Sequence, residues 1–549
     1  MTGDNLHQNS DESIPRVTKL PEDEEYPPLK TVIPALAAAY LVVFLVALDR
    51  TILGTAIPSI TNEFHSFEDI SWYEAAFLLP LCIFALSFGR IFTFYSTKWV
   101  LTVLIVIFEV GNIVSATATS SGVVIVGRII TGIGAAGIFA GVLTLINTLV
   151  PLSKRPQYSG GLGAMFGLAS ILGPLLGGYL TAITWRWVFW INLPIGGAAL
   201  VVFVLVTPNR KPPGAVSETW KGKLKQLDPI GFILVAPAAV CLLFALQWGG
   251  IKYPWSDGRI IALFVVAGVL GVTFICSQIW IKDGTVPGKI VSQRSMIAGI
   301  IQIIGIGSSL IVYSLYLPLW FQAIKGDSPQ SSGLALLALL LSTVVAVILS
   351  GVGTTATGYY VPFAIAGGAI LVVGAALITT WQVDTSMGIW IGYQIILGTG
   401  QGLSLQQPNF AAQTVLPKEQ APTGLAVLQF VQSLFGTIFV TVCQTLLQNR
   451  LVQRLAPLGI DGNAVANGGA TSLRSLVPAD KLPQVLDAYN DSLKGIWYAG
   501  LAMAILGFLA SFGYEWKNVK EAEQKLKLAG NDTTRKEEKD SNGTIAESE

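Results

Sequence analysis

Charge is what this chain has least of. Only 12% of its 549 residues are Asp, Glu, Lys or Arg, against 52% that are apolar or aromatic. A soluble domain carries about 25% charged residues, and several water-exposed domains could not be covered with so few. Together with a mean hydropathy of +0.61, this excludes a chain of soluble domains and points to an integral membrane protein. Histidine is almost missing: His7 and His65 are the only two, so a histidine metal centre or catalytic triad has no material. The four cysteines, Cys82, Cys241, Cys276 and Cys443, lie in apolar runs and read as packing residues rather than disulfide or metal partners. No GxxxxGK[ST] phosphate loop occurs, and a net charge of +1 offers no basic surplus for nucleic acid. The stretch Gly132-Ile133-Gly134-Ala135-Ala136-Gly137 matches a dinucleotide fingerprint, but it lies inside an apolar run with no strand before it. Enzymatic chemistry, a metal, a cofactor and a nucleic-acid partner are therefore not expected.

What the chain has in abundance is long apolar runs. A bilayer span needs about 20 predominantly apolar residues, and runs of that kind fall near 33–57, 72–92, 99–117, 122–149, 160–183, 187–207, 228–247, 260–281, 296–321, 334–352, 359–380, 388–411, 424–447 and 495–515. Fourteen spans would place both termini on one side. The short loops on that side hold Arg90, Lys98, Lys154, Arg155, Arg210, Lys289 and Arg294, whereas the opposite short loops hold Arg186, Lys252, Arg259 and Lys325. The Lys/Arg bias makes the first side cytoplasmic. The N-terminal segment lacks the basic-then-apolar layout of a signal peptide, so the first span is expected to direct insertion.

The expected organisation is an all-α membrane protein. A disordered cytoplasmic tail (1–30) precedes a six-helix half (31–207), a cytoplasmic linker (208–227) and two extra spans (228–281). A second six-helix half (282–516) carries a long external loop (448–493), and a disordered tail (517–549) follows. Six, two and six spans suggest a duplicated transporter with a two-helix insertion, acting as a monomer with the bilayer, a small molecule and protons as its partners. Asn490 begins a glycosylation sequon in the outer loop.

Ionisable residues inside spans cost about 2.5–3.5 kcal/mol on insertion scales and mark function by default. Those at depth fall in the first half, where any proton-coupling carboxylate must therefore sit: Asp49, Glu109 and Arg128 are the proton-coupling candidates, with Glu74 nearer an interface. Asp49 lies about 12 Å, and Arg128 roughly 9 Å, from the outer ends of their spans at 1.5 Å per residue. The two can pair, and a carboxylate beside a guanidinium changes its proton affinity when they separate. Such a pair is either a proton-coupled switch or a static bridge between helices. The fifth span sets Gly163, Gly167, Ser170, Pro174 and Gly177 on one face, within reach of Gly173 and Gly178. Small residues there permit close helix approach, either fixed or opening and closing between halves. The second half is rich in amides and rings. Gln302, Tyr313, Tyr316, Gln401, Gln406 and Gln429 are candidates to bind a neutral, amphipathic compound.

These motifs resemble the major facilitator superfamily, and within it the fourteen-span drug:proton antiporter family. Leu48-Asp49-Arg50-Thr51-Ile52-Leu53-Gly54-Thr55-Ala56-Ile57-Pro58 resembles the family's first-span motif. Gly127-Arg128-Ile129-Ile130-Thr131-Gly132-Ile133-Gly134 is similar to the fourth-span motif, whose arginine is implicated in proton transfer. The run Gly173–Gly178 resembles the fifth-span antiporter motif that marks export. Trp185–Pro194, Leu246–Gly250 and Tyr316–Gln322 look like the filamentous-fungal branch that exports toxins and other secondary metabolites. The resemblance implies a major facilitator fold, proton antiport driven by the gradient without a cofactor, and a plasma-membrane or vacuolar location. An importer or facilitator of the same fold, and a non-transporting receptor, are the rival readings. The loop Gly89-Arg90-Ile91-Phe92-Thr93-Phe94-Tyr95-Ser96-Thr97-Lys98 departs from the family. Thr93 stands where an Asp is usual, which leaves Arg90 and Lys98 to orient the loop.

Overall fold

The structure is a computed structural model. It describes residues 26–66, 69–210, 219, 221–223, 227–250, 253–280, 284–417, 420–460, 462, 477–478 and 480–521. Most of both expected tails, and most of the 208–227 linker, lie outside the described residues. Lipid offers no hydrogen-bond partner to a backbone, so apolar runs of this length close their amides internally as helices.

In chain order the long helices are α1 (Leu29–Phe64), α2 (Ile70–Phe94), α3 (Thr97–Ala116), α4 (Ser121–Leu149), α5 (Arg155–Ile183), α6 (Asn192–Val206) and α7 (Pro229–Trp248). They continue as α8 (Gly258–Trp280), α9 (Arg294–Trp320), α10 (Leu337–Thr357), α11 (Val361–Ile378), α12 (Met387–Leu405), α13 (Ala421–Leu455) and α14 (Leu482–Ser511). Among the described residues, 12 helices are long and apolar enough to cross a membrane, and up to 13 if the bent α5 is one span. Fourteen is not reached. The segment expected at 388–411 is helical as α12, but Gln394 and Gln401 dilute its apolar run, and it ends at Leu405 before a short helix Gln407–Val415. The outer stretch expected over 448–493 is helical at both ends, since α13 runs to Leu455 and α14 starts at Leu482. Residues 463–476 lie outside the described residues.

The two six-helix groups meet through α5 against α10 and α2 against α13. Near the end where α2 stops and α13 begins, one apolar core serves both groups. It joins Phe88, Phe92 and Leu101 to Met296, Ile303, Leu416 and Leu425. At the other end each group has its own core, Ile52, Leu53, Ala56 and Tyr73 in the first and Trp320, Trp381 and Trp497 in the second. The bundle is thus closed at one end and divided at the other.

The α7–α8 hairpin packs through α7 on α2 and α13, while α8 turns an apolar face outward, with Val272 62% and Trp280 84% exposed. One side chain ties it down. Asp228 caps α7, accepting from Gly231 N (2.9 Å), Thr285 N (2.6 Å), Thr285 Oγ1 (2.8 Å) and Gln278 Nε2 (3.1 Å). Burial pushes its carboxyl up, but these hydrogen bonds outweigh burial and hold it below the usual carboxylate value. A group depressed by folding stabilises the fold above its unfolded pKa, and that contribution fades as pH falls through the folded value. The expected result is that Asp228→Asn lowers the melting temperature of detergent-solubilised protein at pH 7. The gap to wild type should narrow as pH falls below about 4, as thermal scans across pH would record.

Candidate functional site

Asp49 and Arg128 are brought together in the middle of the first group. Asp49 is 1% and Arg128 0% exposed, and the guanidinium Nη1 donates to Asp49 Oδ2. The guanidinium is held on other sides too. Its Nε donates to the Tyr73 carbonyl (3.0 Å), the Phe77 ring lies 4.6 Å from Cζ, and Nη2 stands 3.9 Å from Glu74 Oε2. Tyr73 and Phe77 are one turn apart on α2, so a single helix face supplies a hydrogen-bond acceptor and a cation–π surface. Gly132 lets that face come close, since a Cβ there would run into the Phe77 backbone.

Sequence reasoning found the Asp49–Arg128 pair but missed its surroundings. Glu74, read as interfacial, stands between two arginines, 3.9 Å from Arg50 as well as from Arg128. The signal was present in Tyr73, Glu74 and Phe77 lying opposite Arg128, but only the α2–α4 contact reveals it. The expected pair is also incomplete as a bridge. Asp49 Oδ1 and Arg128 Nη2 are buried without a hydrogen-bond partner, so the contact is single rather than a two-pronged fork.

Glu109 sits apart from the pair, on α3. Both its carboxyl oxygens are buried with no hydrogen-bond partner. They press on Gly196 of α6, where a Cβ would collide with the carboxyl and lie 3.3 Å from Leu45 of α1. One turn on, Asn192 of α6 donates to Asn112 of α3 at 3.2 Å.

The glycine face of α5 serves two different neighbours. Gly163 and Gly167 meet Val347 and Val344 of α10 in the other group, whereas Gly173 and Gly177 meet Thr51 and Thr55 of α1 in the same group. Between them the helix bends by 47°, from Leu152–Ser170 to Leu175–Ile183, in the stretch that holds Gly173-Pro174. Gly178 is half-buried. The face predicted as one surface is therefore split, with only its first part lying between the groups. Thr51 also donates to the Ala169 carbonyl at 2.9 Å, fastening α1 to α5.

At the closed end, Gly89 admits α13, for a Cβ would meet Ala426 and lie 3.3 Å from the Pro422 carbonyl. Thr93 donates to Gly89 O (3.0 Å), and its hydroxyl lies 3.4 Å from that of Thr423. Where the family places a charge, this chain has a neutral hydroxyl contact between the groups. Arg90 is buried with Cζ 5.1 Å from the Phe94 ring, and Lys98 Nζ stands 5.7 Å from Trp99.

The candidate binding residues of the second group are mostly consumed by packing. Tyr514 donates to Gln302, Tyr313 stacks on Trp497 at 5.8 Å and donates to its carbonyl, and Tyr316 donates to Val440 O at 3.3 Å. Gln406 accepts from Asn409 at 2.8 Å, while Gln401 is fully buried with neither amide atom paired. Gln429 differs. It begins a stretch of α13, to Val440, in which every residue but Gly436 is half-buried, and which carries Gln432, Ser433 and Thr437 beside Phe430, Phe435 and Phe439. The sequon asparagine lies inside the bundle. Asn490 is 3% exposed, accepts from Trp320 Nε1 (2.8 Å) and donates to the Trp381 carbonyl (3.1 Å), so both ends of its amide are engaged within this fold.

Known proteins resemble this chain both in sequence and in fold. The sequence pattern described as Major Facilitator Superfamily matches residues 39–440. "MFS-type efflux pump MFS1" of Arthroderma benhamiae is 47% identical over 484 residues, covering 87% of this chain and 90% of that protein. "Rubrofusarin-specific efflux pump aurT" of Gibberella zeae is 44% identical over 505 residues, covering 91% and 92%. Among solved structures, the human organic anion transporter MFSD10 superposes with a TM-score of 0.55 at 13% identity, over 87% of this chain and 100% of that one. At that identity the likeness speaks for the fold alone.

Proposed function

The chain belongs to the major facilitator superfamily of multi-pass membrane transporters, and on that premise we propose that it is a proton-coupled exporter of a small amphipathic organic compound. The observation that carries this reading is the buried Asp49–Arg128 pair in a bundle closed at one end and divided at the other. The Lys/Arg bias supports placing the closed end in the cytoplasm, so this conformation faces outward.

A proton arriving from outside loads Asp49 and removes the buried partner of Arg128, leaving it only Glu74, at 3.9 Å, as a counter-ion. The outward-facing state loses an electrostatic tie, and the groups rock to face inward. Substrate binds there, the proton leaves, the pair reforms, and the compound is released outside. Protonation and substrate favour different states, as coupling requires. No cofactor enters this cycle, since the gradient drives it. The half-buried stretch Gln429–Val440, uncharged and mixed in amides, hydroxyls and rings, supports a neutral or weakly polar aromatic substrate such as a fungal secondary metabolite. The efflux pumps similar to this chain support the outward direction. A monomer in the plasma membrane is the setting this reading adopts.

The test is reconstitution of wild type and Asp49→Asn, with rubrofusarin as the probe compound. Wild type is expected to move it uphill against a proton gradient. Asp49→Asn should lose gradient-driven transport at least tenfold yet keep exchange at equal concentrations. Gradient-driven transport at the wild-type rate in the mutant would remove Asp49 from the coupling.

A further inference from the structure

The Asp49–Arg128 pair is one end of a longer chain of charges. It runs from Asp49 of α1 to Arg128 of α4, then to Glu74 of α2 and back to Arg50 of α1. Glu74 turns one oxygen to each arginine, with Oε1 3.9 Å from Arg50 Nε and Oε2 3.9 Å from Arg128 Nη2. Both of those nitrogens are buried and lack a hydrogen-bond partner. A charge-assisted N–H···O contact closes at about 2.7–2.9 Å, so Glu74 stands about 1 Å short of two unpaired donors and is committed to neither. Its side chain is 39% exposed, whereas Asp49 and Arg128 are 1% and 0% exposed. Glu74 follows Tyr73 of the outer core, which puts it at the divided end with room to move. Arg128 is anchored by Nε on the Tyr73 carbonyl and by its face on Phe77, so its Nη edge is the part shared between two acids.

The other titratable groups on the elements packed against α2 are engaged elsewhere or far away. On α1, Glu63 is taken by Arg186, Lys30 lies at the opposite end, and His65 just beyond the helix is exposed. Arg128 is the sole charged residue of α4, and α7 has none, with Cys241 its one titratable side chain. On α13, Arg454 pairs with Asp491, Arg450 lies against Gly495 of α14, and Cys443 belongs to the second core. On α3, Lys98 stands by Trp99 and Glu109 against Gly196 of α6. On α2 itself Arg90 is at the closed end, and Asp69 before it accepts from Ser121.

Resting on the reading of Asp49 given above, we propose that Glu74 is the alternate partner of Arg128, a positioning residue that takes the guanidinium when a proton loads Asp49 and yields it when Asp49 ionises again. Arg50 holds the carboxylate between turns. A buried guanidinium without a counter-ion is costly, so loading Asp49 with no second acid at hand would need a far more acidic exterior. A short closure by a half-exposed side chain removes that obstacle. Glu74 stays ionised throughout and changes only its partner.

The experiment is a thermal double-mutant cycle on the full chain in detergent at neutral pH, which needs no substrate. Asp49→Asn mimics the protonated acid and leaves Glu74 as the one acid beside Arg128. Glu74→Gln is therefore expected to lower the melting temperature at least twice as far in the Asp49→Asn background as in wild type. Equal drops in the two backgrounds overturn the proposal and leave Glu74 a surface tie to Arg50. In proteoliposomes with rubrofusarin, Glu74→Gln should need at least tenfold more protons on the outer side to reach its half-maximal gradient-driven rate. Glu74→Asp restores the carboxylate and should recover most of that shift, while Arg50→Gln frees Glu74 from its competing cation and should move the profile the other way. A Glu74→Gln profile that coincides with wild type also overturns the proposal. If wild type itself shows no dependence on outer pH, the coupling assigned to Asp49 fails instead, and the thermal cycle alone decides whether Arg128 has a second partner.

Discussion

Replacing Arg128 with methionine is expected to abolish export and to lower stability by about 3–5 kcal/mol, the usual cost of stripping one partner from a buried ion pair. The size follows from the surroundings of the guanidinium. With Arg128 gone, Asp49 keeps a buried carboxyl whose second oxygen already lacks a partner, the Tyr73 carbonyl loses its donor, and Phe77 loses its cation. Methionine fills much of the aliphatic volume, so the loss is electrostatic rather than a cavity. The companion double variant, Asp49→Asn with Arg128→Met, removes both charges and should regain most of the stability, because two matched apolar or neutral groups can replace a buried pair at little cost. It should not regain coupling. Thermal unfolding in detergent and transport in vesicles separate the two effects, and a double variant as unstable as the single would show that the pair is not what the methionine disturbed.

The second large effect concerns the inner closure. Gly167→Leu puts a branched side chain where even a Cβ would meet Val344 of α10. Gly163, one turn earlier, already touches Val347, so α5 and α10 cannot separate at one point only. Overpacking of a tight contact costs about 1–3 kcal/mol, which is roughly a 5- to 150-fold shift between two states at 1.4 kcal/mol per factor of ten. Here the strain falls between the two groups rather than within either, so the halves should part at the closed end while the protein stays folded. Ser350 of α10 is fully buried in the closed arrangement and serves as a reporter. In a Ser350→Cys background, Gly167→Leu is expected to raise maleimide labelling from the cytoplasmic side at least fivefold and to reduce export by a similar factor. Unchanged labelling would mean that the α5–α10 contact does not gate this end. The same change at Gly177, which faces Thr55 of α1 in its own group, should instead lower stability without opening the closed end.

Much of the architecture was readable because lipid leaves helices as the natural solution for long apolar runs. The least distinct boundary in the sequence, 350–358 within 334–380, proves to hold the break between α10 and α11, whereas the run at 388–411 falls short of a span because Gln394 and Gln401 interrupt the apolar pattern of α12. The pair at the core of the site was legible from depth alone: Asp49 and Arg128 had few possible partners inside the membrane. Directions around helix axes were not legible. In lipid the outward face of a helix is as apolar as its packed face, so the sequence carries a weak signal for which way a side chain points. That is why the binding candidates Tyr313 and Gln302 are found engaged by Trp497 of α14 and by Tyr514 just beyond it, and why Asn490 of the sequon lies between two tryptophans. The glycine run of α5 misled for another reason. Spacing alone assumes a straight helix, and a 47° bend turns its two ends toward different partners.

The central claim is that a buried acid and its guanidinium sense which side of the membrane is more acidic. The most direct measurement follows rubrofusarin accumulation by wild-type proteoliposomes while the pH difference and the membrane voltage are first imposed and then both collapsed with ionophores. Accumulation is expected to build under the gradient and to run down to equal concentrations on the two sides once it is gone. Uphill transport that continues undiminished after both forces are removed would contradict the account.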